Sequence, residues 1–214
     1  MRYQAILGVL LVLFVAFGAC FAEGGGAAFK HEHEILNNQV TLDGENVYKE
    51  VIIPEDFPVV YVDGEAANAL LSEESGILYL GFPECPWCRT LLPAFIAAIE
   101  ESGYAGTIYY YNALADRDVL ILSDDGEIVV DKEGADAYHE LVTKLYDHLM
   151  PYKILNDPAI RRIYFPTTVF FRDGKVASVH LTTIDSQENG YDSLTEEQFE
   201  ELKGMLIGEI STIQ

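Results

Sequence analysis

Basic residues are scarce in this sequence of 214 residues. Lys and Arg number 13 against 35 Asp and Glu, so the formal net charge is −22 at pH 7. A surface this acidic repels the phosphate backbone of nucleic acids and the headgroups of anionic lipids. The composition therefore argues against a nucleic-acid partner and predicts a well-solvated surface.

Cysteine is also rare, and the cysteines that occur do not form a metal-binding pattern. There are three: Cys20 lies in an apolar leader, while Cys85 and Cys88 form a single CxxC. A structural zinc site normally uses four Cys or His ligands, and neither a second CxxC nor an HxxxH occurs. His31 and His33 could supply nitrogens, but a short polar run after a leader is more typical of flexible chain. We expect no metal site.

The N-terminus carries a secretory leader, which we place at residues 1–22. A nearly unbroken apolar run at 5–22 follows one positive charge, Arg2. Residues 17–20, FGAC, resemble a bacterial lipobox, with Phe17 where leucine is usual, and predict lipidation of Cys20. Cleavage after Ala22 and an uncleaved membrane anchor are the alternatives. Each of the three places the rest of the chain outside the cytoplasm, where disulfides persist.

The segment after the leader is rich in glycine and shows no periodicity. We interpret residues 23–34 as a flexible tether. Half of the residues of the chain are hydrophobic, which is enough for one well-cored domain, at 35–214.

The first half of this domain alternates between strand and helix patterns. The strand–helix–strand order at 77–111 implies a parallel pair of strands joined by a right-handed crossover. We predict strands at 47–53, 59–62, 77–82 and 107–111. A first helix is predicted at 65–75, with Ala66, Ala69 and Leu70 facing the core. A second is predicted from the CxxC to about Gly103, and its core-facing residues are Leu91, Leu92, Phe95, Ile96 and Ile99.

The second half begins with an insertion at about 112–135, in which two β-prone runs flank Asp124-Asp125-Gly126 and suggest a hairpin or a long ordered insertion. Further on we predict a helix capped by Asp136, a short helix opened by Asp157-Pro158, antiparallel strands at 163–172 and 175–181, and a final amphipathic helix with a Thr195–Gln198 capping box.

The CxxC, residues 85–88 (CPWC), lies where the buried strand at 77–82 gives way to a helix. The first cysteine therefore lies at or before the helix N-terminus. Unsatisfied N–H groups and the positive end of the helix dipole stabilise a thiolate there and lower its pKa. This turn is where we expect chemistry.

From about residue 59 to residue 213 the chain resembles the thioredoxin superfamily. The CxxC follows a buried strand and opens a helix, and Pro93 falls where thioredoxins have a helix-kinking proline. Pro166-Thr167 followed by TVFFRDGKV is similar to the family's proline–threonine hairpin, and an amphipathic helix ends the domain. The resemblance implies a three-layer α/β fold, a central mixed sheet flanked by helices.

The resemblance also implies a role for each residue of the motif. Cys85 is expected to be the more exposed nucleophile that exchanges sulfur with a substrate, and Cys88 the buried resolving cysteine. Pro86 and Trp87 are expected to tune the stability of the thiolate. A reversible Cys85–Cys88 disulfide is then the only redox group, with no other cofactor.

The same resemblance assigns substrate binding to residues 165–167. Pro166 corresponds to the family's cis-proline facing the first cysteine, which leaves Phe165 free to pair with an extended substrate, next to Thr167. The alternative is an ordinary proline at a sheet edge.

Two positions depart from the family pattern. Tyr79 occupies the place of the buried aspartate that accepts the proton of the second cysteine, and Glu84 replaces a tryptophan. We hypothesise that Glu84 or water assists proton transfer; a surface glutamate with no role is the alternative. Arg89 is a candidate for stabilising the thiolate, with a solvated helix residue as the alternative.

The sequence thus predicts an extracytoplasmic thiol–disulfide oxidoreductase, tethered to a membrane through its N-terminus. Its partners are expected to be cysteine-containing protein substrates and a redox partner that is itself membrane-bound or soluble. The alternative is a non-catalytic thioredoxin-like binding module whose CxxC is a permanent structural disulfide. The direction of electron flow is left open, because 30 mV corresponds to only about 1.4 kcal/mol for this two-electron couple.

Overall fold

A computed structural model describes residues 25–214. The predicted leader at 1–22, its lipidation site Cys20 and the first two residues of the predicted tether lie outside the described residues. The helices are α1 (Gly25–Glu34), α2 (Gly64–Glu73), α3 (Pro86–Ser102), α4 (Asp136–Lys144) and α5 (Glu196–Ser211), and the strands are β1 (Val59–Tyr61), β2 (Gly76–Leu80), β3 (Ile108–Tyr111), β4 (Val119–Leu122), β5 (Ile128–Lys132), β6 (Met150–Pro151), β7 (Arg161–Arg162), β8 (Thr167–Arg172) and β9 (Lys175–Leu181).

The centre of the molecule is a mixed five-stranded sheet in the order β1-β3-β2-β8-β9. β1, β3 and β2 are parallel, while β8 runs antiparallel to β2 and pairs with β9 in a hairpin. The parallel pairing of 77–80 with 108–111, expected from the sequence, is confirmed.

Helices cover both faces of this sheet. Strand residues alternate between the two faces, so Ile77 and Tyr79 contact one core while Leu78 and Leu80 contact the other. The first core holds side chains of α1, α3 and α5, and the second holds those of α2 and α4 together with both cysteines. The expected α/β class, with a mixed sheet flanked by helices, is confirmed.

The prediction of a flexible tether at 23–34 is wrong for residues 25–34, which form α1. Phe29 and His33 are fully buried in the first core. The glycines permit close packing: a Cβ at Gly26 would lie 2.5 Å from the carbonyl oxygen of Phe57. Burial of Phe29 therefore stabilises α1, whose weakly amphipathic sequence did not predict a helix.

The predicted strand at 47–53 is also wrong, since the segment forms only an isolated bridge between Val47 and Val40. Side chains at the end of α1 take the place of a neighbouring strand. Asn37 Oδ1 accepts from the Val51 N–H at 3.0 Å, and Glu34 Oε1 accepts from the Ile53 N–H at 2.8 Å. The extended segment is thus held without joining a sheet.

Smaller corrections concern helix starts and helix faces. The predicted helix at Asp157 is a turn, in which Asp157 Oδ1 accepts from the Ala159 N–H at 2.8 Å, between the short paired strands β6 and β7. α4 begins at Asp136 itself, with Ala135 at the N-cap and no side-chain cap. In α2, Ala69 is exposed, and Ala67 is buried instead.

Three predictions are confirmed. The insertion forms an antiparallel hairpin, β4 with β5, and Gly126 at its turn has φ +78°. β8 and β9 pair as expected. The final helix has a full capping box between Thr195 and Gln198 and buries Leu202, Leu206 and Ile210.

Candidate functional site

The CPWC motif forms the first turn of α3, at the end of the buried strand β2. Cys85 is the N-cap residue and Pro86 occupies the first helical position, where a missing N–H costs nothing. Cys85 Sγ accepts the backbone N–H of Cys88 at 3.2 Å. Because Cys85 is at the N-terminus of α3, the positive end of the helix dipole lies next to its sulfur. The helix ends where predicted, at Gly103, which has the left-handed conformation.

Both cysteines are free thiols, and they differ sharply in protonation behaviour. A hydrogen bond with the Cys88 side chain lowers the pKa of Cys85, helped by the backbone N–H groups of Cys88 and Trp87. Complete burial raises the pKa of Cys88 well above its ordinary value. Cys85 is therefore the more readily ionised thiol of the pair.

Cys85 is less accessible than expected. Its exposed fraction is 4%, against 0% for Cys88. It remains the more exposed of the two, as the sequence predicts.

The start of β8 lies next to the first cysteine, because β8 pairs with the end of β2 that leads into the CPWC turn. The peptide bond between Phe165 and Pro166 is cis, as the resemblance implies. Cys85 Sγ lies 3.6 Å from the carbonyl oxygen of Phe165. Thr167 is buried, pairs with Leu80 of β2 and donates its hydroxyl to the carbonyl oxygen of Tyr164 at 2.6 Å. The structure thus brings residues 165–167 together with the CPWC turn.

The insertion supplies a cation that the sequence did not point to. The guanidinium of Arg117 lies 4.9 Å from the centre of the Phe165 ring, which in turn packs edge-on against Phe82 at 5.4 Å. Arg117 is half-buried and lowers the pKa of Cys85. Arg117 comes close to Cys85 only because the insertion folds back toward the CPWC turn, and no local sequence pattern predicts that.

Arg89 is not the solvated helix residue that the sequence allowed for. It is 1% exposed, and its guanidinium donates to the carbonyl oxygens of Lys49 at 2.7 Å, His33 at 3.0 Å and Pro83 at 3.0 Å, and to Asn37 Oδ1. These bonds fasten the N-terminal segment to the first turn of α3. Arg89 therefore positions the CPWC turn, while the charge of Arg117 lowers the pKa of Cys85.

Glu84 is exposed beside the motif. The hypothesis that it assists proton transfer stays a prediction. A second carboxylate, Glu32 of α1, lies half-buried on the face of the sheet to which Tyr79 belongs. Sequence reasoning missed it because residues 23–34 were interpreted as a flexible tether.

Trp87 forms one wall of a groove next to the cysteines. Its indole lies against Gly190, where an added Cβ would meet the ring at 2.9 Å. The groove has a volume of about 390 Å³ and is lined by Trp87, Met150, Lys153, Tyr164, Phe165, Thr182, Ile184, Asp185, Gln187 and Glu188. Its lining is mixed, with apolar, polar and charged side chains.

Within residues 25–214 there is no cluster of three or more His, Cys, Asp or Glu side chains able to hold a metal ion, and no helix long and apolar enough to cross a membrane. No protein-family model and no curated protein matches this chain.

Proposed function

We propose that the protein is an extracytoplasmic thiol–disulfide oxidoreductase with a thioredoxin-like fold, acting on cysteine-containing proteins. The observation that carries the proposal is the asymmetry of the CPWC turn. Cys85 lies at a helix N-terminus with a lowered pKa, and Cys88 is fully buried with a raised one. A thiolate nucleophile next to a protonated resolving thiol is what stepwise disulfide exchange requires.

The order of elements supports the thioredoxin-like fold. A βαβ unit that carries the CxxC is followed by an antiparallel hairpin with a cis-proline at its start and by a C-terminal helix packed against α3. The β4–β5 hairpin and α1 are additions to that core.

In the reducing direction the Cys85 thiolate attacks one sulfur of a substrate disulfide and expels the other as a thiolate. Cys88 then loses its proton and attacks Cys85, which releases the second substrate sulfur. The substrate disulfide gains two electrons and the two protein thiols lose them, forming the Cys85–Cys88 disulfide. The reverse sequence oxidises a substrate dithiol, and the redox partner restores the starting state.

Substrate recognition is assigned to the groove beside Trp87 and Phe165. Lys153, Asp185 and Glu188 give it both charges, and Ile184 and Met150 give it apolar surface. An extended polypeptide with mixed side chains fits this lining better than a small anion, which the acidic surface of the chain repels.

Location outside the cytoplasm rests on the leader. With lipidation at Cys20, only residues 21–24 separate the lipid from α1, so the domain is held close to the membrane rather than on a long tether. This short connection favours a redox partner in the same membrane.

One observation favours the second candidate, a binding module with a permanent disulfide: Cys85 is only 4% exposed. Trapping separates the two. Full-length Cys88→Ser protein, expressed in its native cell, is expected to accumulate reductant-sensitive mixed disulfides with client proteins. The Cys85→Ser, Cys88→Ser double variant is the control. If Cys88→Ser accumulates no more covalent partners than this control, thiol exchange is not the function.

A further inference from the structure

Three tyrosines stand side by side on the sheet face that α1 covers. Tyr61 and Tyr79 are each paired in register with Tyr110, which lies between them on β3. The ring of Tyr110 is 5.1 Å from that of Tyr61 and 5.7 Å from that of Tyr79. The row runs from the strand next to the CPWC turn to the edge of the sheet.

Buried polar atoms without a hydrogen-bond partner of standard geometry are concentrated around this row. They include the hydroxyls of Tyr79 and Tyr110, Glu32 Oε1 and His33 Nε2. An unsatisfied buried group costs about 1–3 kcal/mol, so native proteins contain few of them. The polar contacts that these groups do make run along the row: the Tyr79 hydroxyl contacts Cys88, and the Tyr110 hydroxyl contacts Glu32.

One end of the row borders the resolving cysteine. A Cβ placed on Gly81 would lie 2.7 Å from the Tyr79 hydroxyl oxygen and 3.1 Å from Cys88 Sγ, so these two atoms share the space that glycine leaves open. Burial raises the pKa of Tyr79 most, and the charge of a Cys88 thiolate raises it further. Burial also raises the pKa of Cys88, whereas a hydrogen bond with the Tyr79 side chain lowers it.

The other end of the row contacts the half-buried carboxylate of Glu32. The Glu32 side chain is 34% exposed, and its Oε1 lies 3.5 Å from His33 Nδ1. Burial raises the pKa of Glu32, the facing hydroxyls of Tyr61 and Tyr110 lower it, and the charge of Glu84 raises it. His33 stays neutral near pH 7, since burial lowers its pKa to about 4. The hydrogen bond between its Nδ1 and the carbonyl oxygen of Phe29, at 2.8 Å, acts in the opposite direction and is the smaller effect.

We propose that Tyr79 and Tyr110 pass the proton of Cys88 to Glu32 when Cys88 attacks the mixed disulfide. This inference rests on the proposed function and names the proton acceptor for its second step. Each tyrosine accepts a proton on its oxygen as it gives up its own, so no tyrosinate forms. Cys88 Sγ bonds to Cys85 Sγ, the bond between Cys85 and the substrate breaks, and the substrate leaves as a thiolate.

Alternative acceptors are worse placed. Cys88 is fully buried, and the side chains that act on it are Cys85 and Tyr79. Cys85 is tied up in the mixed disulfide at this step. The guanidinium of Arg89 is engaged by its own hydrogen bonds and carries no basic atom, and Glu84 is on the exposed side of the turn.

The test follows reaction of the reduced full-length protein, in detergent, with 5,5′-dithiobis(2-nitrobenzoate). Attack by Cys85 releases one coloured thionitrobenzoate and leaves the other on Cys85; attack by Cys88 then releases the second. The two phases separate the nucleophilic step from the resolving step. The test variants are Glu32→Gln, Tyr79→Phe and their combination. Glu84→Gln tests Glu84 as a competing proton acceptor. Glu100→Gln is the matched control, because Glu100 is exposed near the C-terminal end of α3.

In the wild type we expect the second phase to accelerate as the pH rises through the pKa of Glu32, which lies above the ordinary 4.5. Glu32→Gln and Tyr79→Phe should slow this phase by about 10-fold or more near neutral pH and remove that pH dependence, leaving the first phase unchanged. The double variant should be no slower than either single variant, because both residues serve one path. Glu100→Gln should behave as the wild type.

A second phase that keeps its rate and pH dependence in both Glu32→Gln and Tyr79→Phe overturns the inference, as does a loss confined to Glu84→Gln. Tyr79→Phe removes one hydroxyl, and Glu32→Gln replaces one carboxylate oxygen with an amide nitrogen, so both keep the approximate shape of the side chain. Circular dichroism checks the fold. If the wild type itself shows no second phase, it is the proposed function that fails.

Discussion

The Cys85 sulfur lies 3.6 Å from the carbonyl oxygen of Phe165, a residue 80 positions further along the chain. The contact arises because β2 and β8 pair in the sheet, with Leu80 opposite Thr167, so the turn that follows β2 faces the turn that precedes β8. A thiol at a helix N-terminus is thereby set next to the backbone of residues 165–167. The CPWC turn and the turn that precedes β8 are therefore in direct contact.

Loss of the Arg117 charge should raise the pKa of Cys85. The guanidinium lies over the Phe165 ring and lowers the pKa of Cys85 through its charge. Arg117→Met should move the thiolate absorbance of Cys85 to higher pH and slow the first phase of thiol exchange at neutral pH. Arg172→Met, at the opposite end of β8 and exposed, is the control. Equal titration curves for the two variants would refute the assignment.

Gly81 is needed for the approach of Tyr79 to Cys88. An alanine Cβ would lie 2.7 Å from the Tyr79 oxygen, closer than packed atoms tolerate. Gly81→Ala should lower the free energy of unfolding by about 1–3 kcal/mol and alter the second phase of thiol exchange. Gly204→Ala should instead raise stability by up to about 1 kcal/mol, since a Cβ there meets nothing within 4 Å in the interior of α5. Urea titration measures both, and equal effects at the two sites would contradict the packing argument.

Residues 25–34 should behave as part of the domain. Phe29 is 0% exposed and lies 4.8 Å from the Tyr110 ring. Phe29→Ala should cost about 3–5 kcal/mol of unfolding free energy. His31→Ala, at an exposed position of the same helix, should change it by less than about 0.5 kcal/mol. Similar small effects for both would restore the interpretation of this segment as a tether.

Stability should fall with acid because of His33. Burial lowers its folded-state pKa from 6.5 to about 4, so between these values the unfolded chain binds a proton that the folded chain does not. The contribution is fully present above pH 6.5 and is lost as the pH falls toward 4, by about 3 kcal/mol in all. His33→Gln should flatten this dependence relative to the wild type, as followed by urea unfolding across the range. A variant with the wild-type slope would exclude His33 as its source.

Local patterns predicted the parts of the fold whose cause is local. The apolar face of α3, the glycine that ends it, the Asp-Gly turn of the insertion and the Thr195–Gln198 cap each follow from residues a few positions apart. The placement of both cysteines at the start of a helix followed from the same reasoning.

The parts that failed depend on distant contacts. α1 is stabilised by Phe29 in the core and by Gly26 against Phe57, and its glycines, which are typical of a linker, are there for close packing. The segment at 47–53 has a strand-like composition, but its N–H groups are satisfied by Asn37 and Glu34.

The same limitation applied to the candidate site. Cys85, Cys88 and residues 165–167 were identified by motif and resemblance, and the structure brings them together. Arg117 and Glu32 reach the site through an insertion and an added helix, so no motif includes them. Tyr79 was noted only as a missing aspartate; its place in the row with Tyr110 needed the sheet register.

The central claim is that the CPWC turn performs thiol–disulfide exchange. The reduction potential of the Cys85–Cys88 pair, measured in glutathione buffers, tests it most directly. An insulin-reduction assay accompanies this measurement, with Cys85→Ser as the control. The account predicts a potential above about −300 mV and turnover that the variant lacks. A disulfide that resists reduction below about −300 mV, with no turnover above the Cys85→Ser level, would contradict it and indicate a structural disulfide.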